Sequence, residues 1–154
     1  MHTSFAVSLR QSMADPLPPP AQRHTPADVR AAVLVARYIA LTTYRRDGRP
    51  VTTPVWAAER EGRLYIFSNP EAGKIKRLRN SSRAAVAPCT WNGTRTGEEL
   101  PATARILASA ELPAMWASLV KKYGLAAVPF RLLYLVRSFL RLPLSAGIEV
   151  SLTP

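Results

Sequence analysis

Alternation of apolar and polar positions dominates the chain between residues 38 and 68 and returns near its end. Ile39, Leu41 and Thr43 interleave with Tyr38, Ala40 and Thr42, a period of two that predicts a strand over 38–44 with two fairly apolar faces. A second strand is predicted over 50–58 and a third over 63–68. Asp47-Gly48 separates the first pair, and glycine there accepts the positive φ that tight hairpins require. Glu61-Gly62 repeats the device before the third strand. Residues 84–90 read as a fourth strand, with Pro88 confined to an end, an edge or a bulge because it donates no ladder hydrogen bond. After a polar, glycine-containing loop over 91–97, a fifth strand is expected over 100–110. A sixth, with clean alternation, is expected over 147–152.

Helical spacing fills the gaps. Thr25 is placed to cap a helix that has Pro26 at its first position and Asp28 in its first turn. That helix should run to about Ala36 and bury Val29, Ala32 and Val33. Residues 112–123 carry Met115, Trp116, Leu119 and Val120 on one face, and Gly124 suits the C-terminal cap. Residues 129–140 are more apolar. Arg131, Tyr134, Ser138 and Arg141 form a narrow polar stripe there, and Pro143 is expected to stop the helix. Its apolar arc is wide enough to favour burial against the barrel or a partner over association with a membrane. Six strands with inserted helices give an α+β domain built on an antiparallel barrel.

Composition changes this picture in one respect. The 154 residues suit one domain, over 28–154, behind an extension over 1–27 whose run Asp15-Pro16-Leu17-Pro18-Pro19-Pro20 should be extended or disordered. No stretch reads as a secretory leader or a membrane span, so a cytoplasmic location is expected. The net charge, however, is +11. Such a balance attracts nucleic acid, an anionic membrane or an anionic small molecule. Because 17 of the 21 basic residues are Arg beside much Ala and Pro, a GC-rich coding bias accounts for part of it. Cys89 is the single cysteine, so an internal disulfide is impossible; it reads as a small buried strand residue. No Ser/His/Asp set and no metal-ligand spacing occurs, and His2 and His24 lie in the extension. No motif for base readout is present either, so nucleic acid is not expected as a partner.

The densest candidate chemistry follows the third strand. Gly73-Lys74-Ile75-Lys76-Arg77-Leu78-Arg79-Asn80 puts Lys74, Lys76, Arg77 and Arg79 on a short helix, with Ile75 and Leu78 on its buried side. These cations are either a solvated surface or an anion site. The residues alone favour the first, although position straight after a strand suits the second, since Lys and Arg make charge-assisted bonds to phosphate and a helix N-terminus adds exposed N–H groups. Trp56 is either core or the neighbour of a bound ring.

The blocks Tyr38-Ile39-Ala40-Leu41-Thr42-Thr43 and Arg46-Asp47-Gly48-Arg49-Pro50-Val51-Thr52-Thr53-Pro54-Val55-Trp56 resemble the opening of the pyridoxamine 5'-phosphate oxidase-like (PPOX-class) split barrels. Within that superfamily, residues 73–80, Val86-Ala87-Pro88-Cys89 and Lys121-Lys122-Tyr123-Gly124-Leu125 resemble the branch of deazaflavin-dependent oxidoreductases, users of coenzyme F420. The resemblance covers roughly residues 38–150. It implies a six-stranded antiparallel split β-barrel of the FMN-binding type with flanking helices, paired as a homodimer with cofactor sites at the subunit interface. The ring would lie near Thr52, Thr53, Pro54, Val55 and Trp56. The phosphate would meet Ser68, Asn69, Lys74 and Lys76, with Arg77 or Arg79 further along.

The function so implied is hydride transfer from reduced F420 to a small electron-poor organic substrate, the cofactor carrying the chemistry. The proton would come from solvent or a hydroxyl such as Thr53 or Tyr44. The coenzyme's oligoglutamate tail suits a basic protein. Alternatives are an FMN-binding split barrel or a non-enzymatic basic module binding an anionic partner. The acidic pair Glu98-Glu99 departs from the family pattern and could reach a partner's site.

Overall fold

The computed structural model describes residues 25–140 and 145–153. Most of the expected extension, with His2 and His24, and the expected stop at Pro143 with Arg141 therefore lie outside the described residues. In chain order the elements are α1 (Pro26–Val35), β1 (Tyr38–Tyr44), β2 (Pro50–Arg60), β3 (Arg63–Ser68), α2 (Gly73–Leu78), β4 (Arg83–Cys89), β5 (Leu100–Ile106), α3 (Leu112–Tyr123), α4 (Val128–Phe139) and β6 (Ala146–Leu152).

All six strands pair antiparallel in the order β1-β2-β3-β6-β5-β4, and β4 closes on β1. The barrel of the predicted α+β class is therefore present. Closure follows from the alternation. One parity of each strand, including Ile39, Leu41, Val55, Ala57, Leu64, Ile66, Val86, Ile148 and Val150, fills the interior as one cluster. A shift of one residue in any register would send that set to the outside. Val33 of α1 and Ile75 and Leu78 of α2 join the same core.

The turns explain the registers. Gly48 has φ +85°, and the Asp47 carboxylate accepts from Arg49 N at 3.0 Å. Glu61 and Gly62 both have positive φ (55° and 75°) and join paired residues Arg60 and Arg63. That two-residue turn matches strand twist, so the second hairpin is as sharply specified as the first. At the start of α1, Thr25 and Asp28 form the reciprocal cap: Asp28 N donates to Thr25 Oγ1 (3.2 Å) and Thr25 N to Asp28 Oδ2 (2.9 Å).

A second apolar cluster sits outside the barrel. Leu112, Met115, Trp116 and Leu119 of α3 pack with Ala58 and Leu107 against the outward rings of Tyr65 and Phe67. Three expectations are corrected. β5 ends at Ile106 rather than Ala110, because Glu111 folds back to accept from Ala108 N (2.8 Å) and pair with Arg105, turning 109–111 into a 3-10 turn. Ala32 is exposed; Val29 and Val33 alone of α1 are buried. The last helix is not buried against the barrel: no residue of α4 is buried, and Leu132, Leu133, Leu135, Val136 and Phe139 are all exposed.

Candidate cofactor site

β2 sorts its residues by parity. Val55 and Ala57 point into the barrel, and Thr53 shares their side; its Oγ1 is buried with no hydrogen-bond partner among the described residues. Pro54 and Trp56 alternate to the outer face. There the indole of Trp56 meets three aromatic rings. It stacks on Tyr123 (centroids 4.6 Å, planes 7° apart) and stands edge-on to Phe67 (6.3 Å) and Phe130 (5.6 Å). Phe67 in turn contacts Trp116 at 5.1 Å and Phe130 at 5.4 Å.

Tyr123 is locked in place by its hydroxyl, which donates to the Arg37 carbonyl (2.6 Å) and accepts from Ala57 N (3.1 Å). The adjacent Lys122 Nζ donates to the carbonyls of Ala36 (2.6 Å) and Ala57 (2.8 Å). Burial pushes the Lys122 pKa down and the Tyr123 pKa up. Through these hydrogen bonds the two residues fasten the end of α3 to β2.

Against this aromatic wall lies an open cleft of about 240 Å³, lined by Tyr38, Pro54, Val55, Trp56, Phe67, Lys74, Trp91 and Phe130. Among the described residues, Lys74 is its only cation. The ammonium has no hydrogen-bond or ion-pair partner among the described residues, and burial, then the neighbouring Arg77, lowers its pKa. An apolar, ring-lined wall with one unanswered positive charge suits a planar ligand carrying an anionic group. A smaller cleft of about 190 Å³ adjoins it, sharing Phe67 and Phe130 and adding Ser68, Asn69, Trp116 and Arg137.

The remaining cations of the basic run face elsewhere. Lys76 and Arg77 line a separate hollow of about 460 Å³ with Tyr44, Arg45, Arg46, Asp47, Arg49, Gly73 and Asn80. Arg77 Nε donates to Thr43 Oγ1 at 2.7 Å. Burial, then Arg45, lowers its pKa. A Cβ on Gly73 would come within 2.8 Å of Arg77 Nη1, so glycine leaves the guanidinium its place. Lys76 reaches Glu71 at 3.7 Å across exposed surface.

The structure thus brings Pro54, Val55, Trp56 and Lys74 together, with Ser68 and Asn69 next door. Lys76 and Arg77 instead line the separate hollow beside the 45–49 turn, while Ile75 and Leu78 of α2 are buried. Arg79 is exposed at the end of α2, and that helix, at six residues, is too short to act as an anion-binding dipole. Thr52 bonds to Thr42 (2.8 Å), which donates to Glu99 at 3.2 Å. Glu99 is held in turn by Arg95 at 2.6 Å, so this carboxylate is answered within the chain. Tyr44 lies under the guanidinium of Arg83 at 3.9 Å and does not line the cleft. Sequence reading missed Phe67 and Phe130 as walls and the three arginines of the 45–49 turn. The arginines were visible as a charge run; the walls needed the strand order.

Among the described residues, no group of three or more His, Cys, Asp or Glu is arranged to hold a metal. Residues 25–142 match the sequence family described as pyridoxamine 5'-phosphate oxidase. The chain belongs to that family. Its match to the pyridoxamine 5'-phosphate oxidase family takes in every element from α1 to α4, and so the whole cleft.

No curated protein matches the chain. Solved structures of the same fold include a conserved hypothetical protein from Mycobacterium tuberculosis (19% identity, TM-score 0.60, covering 85% of this chain and 82% of that one). They also include an F420-H2 dependent reductase (18% identity, TM-score 0.55, 75% and 94%). A heme binding protein from Mycobacterium smegmatis is a third (17% identity, TM-score 0.56, 83% and 51%). At these identities the likeness is one of fold.

Proposed function

We propose that this protein is an oxidoreductase that uses reduced coenzyme F420 to deliver a hydride to a small, electron-poor organic substrate. The observation that carries the reading is the pairing of a ring-lined wall (Trp56, Phe67, Phe130) with the unpartnered Lys74 at its edge. These residues fit the coenzyme: the ring against Pro54, Val55 and Trp56, and its phosphate toward Lys74 and the neighbouring Ser68 and Asn69. Lys76, Arg77 and Arg79 extend positive charge along α2 and beyond for the anionic tail. When bound, reduced deazaflavin supplies the hydride; the aromatic wall excludes water from one face and Lys74 orients the anionic end. Thr53, aimed into the barrel, is not the proton donor in this reading, and solvent is.

A homodimer belongs to the same proposal. The cleft of about 240 Å³ is below the roughly 300–1,000 Å³ usual for small-molecule sites. One chain therefore presents a wall rather than an enclosure, and a second copy would supply the opposite side.

The test is a fluorescence or calorimetric titration of the purified protein with F420 and with FMN at identical salt. Tight F420 and weak FMN binding is expected. The reverse preference would move the activity to flavin chemistry. Binding of neither would remove the oxidoreductase reading.

A further inference from the structure

The outer face of α4 serves none of the features above. Val128, Leu132, Leu135, Val136 and Phe139 recur at i, i+4, i+7, i+8 and i+11, a single stripe of a 3.6-residue helix. All five are exposed, Phe139 at 88%, and Leu125 just upstream is exposed to the same degree. The opposite face holds the helix to the protein, through Phe130 on Trp56 and Phe67 and through Tyr134 on Trp116 at 5.7 Å. Along the sequence, the segment that holds the stripe carries charge of one sign. Between Glu111 and Glu149 the sequence contains no acidic residue, yet it contains Lys121, Lys122, Arg131, Arg137 and Arg141. Of these, Arg131 stands exposed on α4 beside the stripe, whereas Lys122 is bound to the Ala36 and Ala57 carbonyls and Arg137 lines the second cleft.

We infer that α4 docks this protein on an anionic lipid surface, its apolar stripe sunk to the acyl boundary and Arg131 against the headgroups. With 12 residues the helix cannot cross a bilayer, which takes about 20. No helix among the described residues is long and apolar enough to do so. It lies in the plane of the interface instead. A second copy of the chain is the weaker occupant. Two-fold pairing sets a patch against itself, bringing Arg131 toward its own copy with no carboxylate in the whole 112–148 segment to answer it. Anionic headgroups supply the missing countercharge. Because Phe130 walls the cleft from the other side of the same helix, docking holds the cleft about one helix diameter, roughly 10 Å, from the lipid.

The full chain is floated with vesicles of phosphatidylcholine and of phosphatidylcholine mixed with phosphatidylglycerol, at physiological salt. The protein should rise with the mixed vesicles and stay behind with the neutral ones. The double variant Leu132→Glu/Leu135→Glu should lose binding by roughly tenfold or more, while its mass by light scattering and its coenzyme affinity stay unchanged. Leu132→Ala/Leu135→Ala, with circular dichroism of both variants, guards against misfolding and should show an intermediate loss. The inference is overturned if the wild type ignores the mixed vesicles. It is also overturned if the glutamate variant floats as well as the wild type, which would mean adsorption by net charge alone. A fall in oligomeric mass in that variant, without lipid binding by the wild type, would make the stripe an interface between copies.

Discussion

Trp56 and Tyr123 lie parallel, ring centroids 4.6 Å apart and planes tilted by only 7°, so the last residue of α3 backs the Trp56 wall of the cleft on β2. The stack depends on the Tyr123 hydroxyl, bonded to the Arg37 carbonyl and to Ala57 N. Tyr123→Phe keeps the ring but leaves a buried N–H and a carbonyl short of a partner. It should cost about 1–3 kcal/mol of stability, read from urea unfolding. Tyr123→Ala should cost more and weaken coenzyme binding as well, because Trp56 loses its support. Equal coenzyme affinity in Tyr123→Ala and wild type would show that the stack does not shape the site.

Lys74 and Lys76 are two residues apart yet face different surroundings. Lys74 is half-buried, without a partner among the described residues, and in the cleft; Lys76 is exposed beside Glu71. Lys74→Ala should weaken F420 binding by about 1–3 kcal/mol, the range for a bond to a charged group. Lys76→Ala should cost less than about 1 kcal/mol, as exposed pairs do. The pKa of Lys74 is lowered, and only the protonated form attracts phosphate. Affinity in the wild type should therefore fall on the alkaline side sooner than an ordinary lysine would allow, a fall absent from Lys74→Ala. Titration calorimetry across alkaline pH measures both effects; a larger loss in Lys76→Ala would transfer the phosphate to the hollow beside the 45–49 turn.

The barrel could be read from the chain because the period of two in residues such as Ile39, Leu41, Ile148 and Val150 is a local signal, and Gly48 and Gly62 mark the turns directly. The split of the basic run could not. Whether Lys74 and Arg77 share a site depends on how α2 is rotated over β1, and that rotation is set by Ile75 and Leu78 entering a core assembled from distant strands. The cleft walls were hidden for a similar reason. Phe67 and Phe130 meet only after α3 has returned across β2 and β3. The apolar character of 129–140 was plain, but no sequence pattern separates a helix buried by its own fold from one left for another surface.

Gly147 occupies a place where β6 runs directly beneath α3. A Cβ there would meet Leu107 at 2.7 Å, Leu112 at 2.8 Å and Met115 at 2.9 Å, three side chains that fill the second apolar cluster. They cannot all yield at once, so Gly147→Ala should destabilise by about 1–3 kcal/mol, the usual cost of overpacking. Unfolding by urea decides the matter. A neutral result would mean that α3 floats on the sheet rather than packing into it.

Glu149 makes the fold sensitive to acid. Its side chain is 6% exposed on the outer face of the barrel, between Arg63 (3.0 Å) and Arg105 (2.9 Å), and it accepts from the Tyr65 hydroxyl at 3.0 Å. The strand order β3-β6-β5 is what joins them, since Tyr65 and Arg105 are both register partners of Glu149. Arg105 continues to Glu111, whose carboxyl is pushed down to about 2, first by Arg105 and then by the Ala108 amide. Arg105, ahead of Tyr65 and Arg63, likewise holds the Glu149 carboxyl below its ordinary value against the opposing effect of burial.

A carboxyl lowered in the folded state stabilises the protein fully above its unfolded pKa, near 4.3, and that contribution disappears as pH falls through the folded value. Glu149→Gln removes the charge and keeps the shape. It should cost about 1–3 kcal/mol at pH 7, toward the lower end because Arg63 and Arg105 are half exposed and can turn to water. The difference between wild type and variant should then shrink as pH drops below the ordinary glutamate range, in urea unfolding monitored by circular dichroism. A gap that stays constant across that range would assign the loss to packing around residue 149 rather than to its charge.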